Sequence, residues 1–177
     1  MGVRLATMDV SRKADPGTYA MMRRHALETR VPGARRDAVQ SVLMDWHVDR
    51  GTVTVVATAD GTASLYLSSG GGLIGGGQRY AEIREAALHA VSVATSHRSH
   101  FDLTEMTALP ALGDVTFYLI SGEGVWVAVA SESRLRAGAD PLAALGGAMQ
   151  RIVTEYRVRY PRRPRPDAPP SADLAQH

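Results

Sequence analysis

Histidines, aspartates and a run of glycines are the residues in this sequence whose grouping could do chemistry. His89, His97 and His100 stand close to Asp102, a set that could hold a divalent metal if its donors converged and further hydrogen bonds oriented them. Their spacing argues otherwise. His97 and His100 fall at the end of an expected helix and His89 two turns earlier, so all three are expected to be helix-terminal or solvent-facing, with no metal. Asp45, His47 and Asp49 alternate, and a positioned Asp–His pair can serve general acid–base catalysis. They fall between an expected helix and an expected strand, where polar residues are ordinary. Residues 70–77 read GGGLIGGG ahead of another helix. Amides of such a loop can cradle phosphate at the positive end of the helix dipole. No Lys-Ser or Lys-Thr follows, the GxGxxG spacing with a downstream acid is missing, and the run leaves a hairpin rather than a βαβ unit. It is expected to be a flexible connector, with Gly71, Gly72, Leu73, Ile74 and Gly75 as candidates for a partner-binding loop. No Gly-x-Ser-x-Gly elbow or His-Glu-x-x-His pair occurs. Without a single cysteine, thiolate nucleophiles, CxxC redox chemistry, disulfides and cysteine metal sites are excluded. The expectation is a chain with no catalytic residues and no cofactor.

The elements that would position these residues must fit into 177 residues, 45% of them hydrophobic, enough for one domain with a real core. The N-terminal residues lack the apolar segment of a signal peptide, and no stretch is long enough to span a membrane, so a cytoplasmic location is expected. The net charge of +2 conceals an uneven distribution. Residues 1–37 sum to +4, residues 38–156 to −5 and residues 157–177 to +3. All but Lys13 of the 20 basic residues are Arg. The plain reading of that bias is codon composition; the functional one is that basic ends meet an acidic protein, an anionic surface or nucleic acid.

Residues 18–30 are expected to form a short helix with Tyr19, Met22 and Leu27 on one side, in an N-terminal arm spanning 1–33. In residues 34–46 the apolar positions Val39, Val42, Leu43 and Trp46 follow the i, i+3, i+4, i+7 pattern of an amphipathic helix. Residues 52–58 and 63–68 flank Ala59-Asp60-Gly61, a hairpin signal because glycine accepts the positive φ of a tight turn. Residues 78–97 read as a long helix lined by Ile83, Ala87, Ala90 and Ala94. A third strand starts near Leu103. Residues 114–120 and 125–131 form a second hairpin. Within it Trp126 alternates with Val125, Val127 and Val129, and Tyr118 with Phe117 and Leu119, so each aromatic lies on the opposite side of the sheet from those neighbours. It is expected to lie under a helix or to remain on a partner surface. Asp140-Pro141 opens a last helix carrying Leu142, Leu145, Met149, Ile152, Val153 and Tyr156. Residues 161–177 are a Pro- and Arg-rich tail expected to be disordered.

The expected fold class is therefore α+β: one five-stranded, mostly antiparallel sheet in the order α-β-β-α-β-β-β-α over residues 34–160, preceded by the N-terminal helix. This order, together with the hairpin at Asp60-Gly61, Ser68-Ser69-Gly70-Gly71, the Ala-rich middle helix and the run VTFYLISGEGVWVAVAS, resembles the roadblock/dynein light chain family of the profilin-like and longin-like group. The resemblance covers residues 34–158. It implies a non-catalytic scaffold that forms a homodimer through the middle helix and the following strand, and it makes a small Ras-like GTPase a candidate partner. The interface residues would be Ile83, Ala86, Ala87, Ala90, Val91, Ala94, Leu103 and Met106; the alternative is that the alanines sit beneath the sheet. Two other classes stay open: a profilin- or PAS-like small-molecule sensor, which needs a cavity under Leu65, Leu67, Phe117 and Leu119, and binding of nucleic acid or an anionic surface by the Arg-rich ends. Nucleic acid is the weaker of these, since no aromatic platform accompanies Arg157, Arg159, Arg162, Arg163 and Arg165.

Overall fold

A computed structural model describes residues 16–49 and 51–161. Strands pair where β-branched and aromatic residues alternate, and the chain gives seven of them: β1 Ser41–Val48, β2 Gly51–Thr58, β3 Ala63–Leu67, β4 Gly72–Ile74, β5 Asp102–Thr104, β6 Asp114–Ser121 and β7 Gly124–Ser131. All pair antiparallel in one open sheet of order β4-β3-β2-β1-β6-β7-β5. Among the described residues there are five α-helices: α1 Pro16–Glu28, α2 Gly76–Arg79, α3 Ala81–Ser96, α4 Glu132–Arg136 and α5 Ala143–Arg159, with a short 3₁₀ turn at Arg98–His100. No helix among the described residues is long and apolar enough to cross a membrane.

The α+β class and both hairpins match expectation. The five-strand count does not, and no helix forms over residues 34–46: residues 34–40 are turn and irregular backbone, and from Ser41 the chain is β1, the middle strand of the sheet. The reason is double coverage. Val42 and Met44 face the layer formed by α3 and α5, while Leu43 faces α1, so consecutive residues are apolar and period-2 alternation disappears. Val39, Val42, Leu43 and Trp46 then imitate a helical stripe. The three later strands expected are present as β5, β6 and β7, but β5 has only three residues, and besides β1 an additional strand, β4, forms inside the glycine-rich run.

One face of the sheet carries the main core. Ile83, Ala86, Ala87, Ala90 and Ala94 of α3, and Leu145, Met149, Ile152 and Tyr156 of α5, pack on Val42, Met44, Val55, Phe117 and Leu119. Small alanines let α3 approach both the strands and α5. Asp140 accepts a hydrogen bond from the Leu142 amide at 3.0 Å, just ahead of α5. The other face packs Tyr19, Met22, Ala26 and Leu27 of α1 against Leu43, Val56, Tyr66, Tyr118 and Ile120. Residues 16–28 therefore belong to the folded body, although they lie before the 34–160 span expected for it. The tail residues 162–177 and residues 1–15 lie outside the described residues.

Candidate functional site

Under α1 the sheet carries a buried charge. Asp45 sits in the centre of β1 with no exposure, on the face that α1 covers. A carboxylate stripped of water must be compensated by charge and hydrogen bonds. Arg23 of α1 supplies both: its Nε donates to Oδ2 at 2.8 Å and its Nη2 lies 2.6 Å from the same oxygen. Thr54 Oγ1 donates to Oδ1 at 2.5 Å. The single Thr54 proton is thereby committed, so the Tyr19 hydroxyl, 2.8 Å from Thr54 Oγ1, is the donor in that contact.

Arg23 also reaches sideways. Nη1 donates to the Thr107 carbonyl at 2.9 Å and Nη2 to the Ala108 carbonyl at 3.3 Å. The Tyr118 hydroxyl donates to the same Ala108 carbonyl at 2.6 Å, and its ring lies 5.5 Å from the guanidinium carbon. One planar guanidinium thus joins α1, β1 and the connection from β5 to β6, a task that suits its fixed fork of donors. Burial pushes the Tyr19 and Tyr118 hydroxyls above their ordinary range, which keeps them neutral donors. Burial pulls Arg23 down, but the hydrogen bond and charge of Asp45 more than offset it, so the guanidinium stays charged. Both Asp45 oxygens are engaged, and the network is a clasp between α1, β1 and the β5–β6 connection.

Its expected companions stand apart from it. His47 is half-buried farther along β1 and Asp49 lies exposed in the following turn. His89 and His100 are exposed, and His97 Nδ1 donates to the Val93 carbonyl at 2.8 Å, an ordinary helix-end contact. Among the described residues no group of three or more His, Cys, Asp or Glu converges as metal ligands would.

The glycine-rich run, expected as a connector, holds a short strand and the start of α2. Gly72, Leu73 and Ile74 pair with β3 as the edge strand β4. Gly71 and Gly75 adopt φ of 91° and 72° on either side of it, which an L side chain rarely accepts. The Gly76 amide donates to the Tyr156 hydroxyl, which donates to the Ala63 carbonyl. A Cβ on Gly77 would come within 1.9 Å of the Gly61 carbonyl oxygen. Of the five loop candidates, Ile74 is the large side chain left exposed.

Of the eight expected interface residues, Ile83, Ala86, Ala87, Ala90, Val91 and Ala94 are buried within the protomer. That corrects the expectation of a helical interface on this side of α3: these residues fill the space between the sheet and α5. Leu103 and Met106 are 61% and 76% exposed, and Leu109 and Leu112, which the sequence reading passed over, are 50% and 82% exposed. These four recur every third residue through a segment that is neither helix nor long strand, and that spacing was the available signal. β5 itself is an edge strand, paired only with β7.

Leu109, Thr107, Thr104 and Glu105 form one bank of an open groove of about 620 Å³, facing Arg23 and Leu27 on α1. A second open hollow of about 540 Å³ lies between His100, Asp102, β7 and Asp140. Neither is lined by Leu65, Leu67, Phe117 or Leu119, the residues a sensor cavity would use. Tyr118 lies buried on the α1 face, and Trp126, on the opposite face, packs under the Arg98 guanidinium at 4.7 Å. Neither aromatic is left as a free partner surface. Comparison of the chain with protein-family models, with curated proteins and with solved structures gives no match in any of the three.

Proposed function

We propose that this chain is a non-catalytic protein-interaction module that pairs with a second copy of itself through the β5 edge and the adjoining residues 105–113. The observation that carries the reading is the exposure of Leu103, Met106, Leu109 and Leu112 within ten residues beside a three-residue edge strand. A short edge strand offers unpaired main-chain groups, and large apolar side chains next to it favour burial against another polypeptide. In a two-fold assembly the same patch would serve both partners. Of the two elements that the resemblance to the roadblock group implies for pairing, the strand after the middle helix and the residues beyond it are where the expected interface residues, Leu103 and Met106, reach the surface. By the same resemblance, a small Ras-like GTPase is the first partner class to test against the assembled dimer.

Sedimentation velocity at micromolar concentration tests the reading. The expected mass is twice that of the chain, and Leu103→Asp together with Met106→Asp is expected to return it to the monomer with circular dichroism unchanged. A wild-type chain that stays monomeric at those concentrations overturns the proposal.

A further inference from the structure

The segment that carries Met106 and Leu109 is held to the body in an unusual way. Among the described residues, 105–110 make no main-chain to main-chain hydrogen bond. Their anchors are side chains: Arg23 to the carbonyls of Thr107 and Ala108, Tyr118 to the carbonyl of Ala108, and a local bracket in which Thr104 Oγ1 accepts from the Met106 amide and donates to the Met106 carbonyl. Two of the three hydrogen bonds that reach from this segment to another element therefore come from one residue of α1. The same residue holds α1 to the sheet through Asp45.

We infer that Arg23 is a positioning residue that makes the partner surface conditional on α1: docking of α1 orders residues 105–109, and release of α1 loosens them. The functional meaning of this coupling rests on the reading of the β5 edge and residues 105–113 as the partner surface. α1 is suited to such a role because, among the described residues, it is the one helix on its face of the sheet, through Tyr19, Met22, Arg23, Ala26 and Leu27, whereas the opposite face is closed by α3 and α5 together. When α1 lifts, water reaches Asp45 and the carbonyls of Thr107 and Ala108 lose their shared donor. Linkage works in both directions, so an event that captures residues 105–109 in their ordered form also tightens α1 on the sheet.

Backbone ¹⁵N relaxation on the full chain, at a dilution where its measured mass is that of the monomer, tests the coupling. In the wild type, residues 106–108 are expected to show order parameters near about 0.8, approaching rigid backbone. Arg23→Lys keeps a charge beside Asp45 but loses the fork, so these residues are expected to fall below about 0.6 while α1 amides stay protected from exchange. Arg23→Met is expected to loosen both segments while amides of β6, α3 and α5 keep their dispersion. Should Arg23→Met fail to fold, Arg23→Lys decides. Unchanged order at 106–108 in Arg23→Lys overturns the inference. In a separate titration Arg23→Lys is expected to weaken self-association by roughly tenfold. Loosened residues with unaltered self-association would overturn the regulatory coupling. A wild type that never associates removes the dimer reading instead, and the relaxation result still reports on the clasp.

Discussion

The two faces of the sheet are closed by different means. On the α3–α5 face, contact is almost wholly apolar and continuous, from Ile83 and the alanines of α3 to Met149 and Ile152 of α5, with Tyr156 tying Ala63 to Gly76. On the α1 face, a single helix rests on Leu43, Val56, Tyr66, Tyr118 and Ile120 around a buried ion pair. Dispersion and hydrophobic burial are summed over many contacts and tolerate the loss of one gradually. A buried ion pair depends on both partners being present, and losing Arg23 leaves the Asp45 carboxylate without its compensating charge. The first face is built to stay shut, and the second to depend on one residue.

The largest expected effect tests the first face. Phe117→Ala, at a fully buried position under both helices, should lower stability by about 3–5 kcal/mol in urea denaturation. A loss under about 1 kcal/mol would mean that this layer is not the cooperative core.

Next, Arg23→Met should cost about 2–4 kcal/mol, limited at the upper end by the docking free energy of α1, since lifting α1 lets water reach Asp45. Asp45→Leu should cost less, about 1–2 kcal/mol, because Arg23, 8% exposed against 0% for Asp45, can turn its head to solvent and keep the Thr107 and Ala108 carbonyls. Equal losses for the two variants in the same denaturation experiment would remove that asymmetry.

Gly77→Ala, on the glycine-rich run, should destabilise by about 1–3 kcal/mol, since the added methyl meets the backbone carbonyl of Gly61 rather than a yielding side chain. Thermal melting of this variant at or above the wild-type midpoint would restore the picture of a loose connector.

The smallest effect lies at the β2–β3 turn. The Thr58 hydroxyl, and after it the Thr62 amide, hold the Asp60 carboxyl below its ordinary value. Its folded pKa is depressed, so its contribution is fully present above the ordinary carboxylate value near about 3.9 and fades as pH falls from there through the lowered folded value. Asp60→Ala should cost less than about 1 kcal/mol at neutral pH, and the difference from wild type should vanish in acid. A difference that persists unchanged at pH 2 would show that the carboxylate is not its source.

Much of the architecture was legible because it is local. Ala59-Asp60-Gly61 announces the first hairpin, Gly61 takes φ of 84°, and β2 and β3 pair across it in the register their alternation implies. Helices α3 and α5 are equally clear, each having one buried side that leaves a periodic pattern, and the β6–β7 hairpin, although β6 is buried on both faces, is marked by the turn at Ser121-Gly122-Glu123-Gly124. β1, also buried on both sides, was misread because its apolar residues fall at helical spacing. Asp45 looked like one polar residue of a connection, since its meaning depends on Arg23, 22 positions away. The buried role of Ala86, Ala87, Ala90 and Ala94 was not decidable from their spacing, because a small-residue stripe suits a partner helix and a sheet equally well.

What the sequence alone determined, then, is everything governed by neighbours a few residues apart: the turns, the alternating strands, the helical stripes, the lack of thiol chemistry. Tertiary structure decided which surface each stripe meets. It placed β1 at the centre, filled the alanine side of α3 with α5, and brought Arg23, Asp45 and Ala108 together. Those outcomes depend on contacts between residues far apart in the chain, and burial and charge compensation act only once the elements have met.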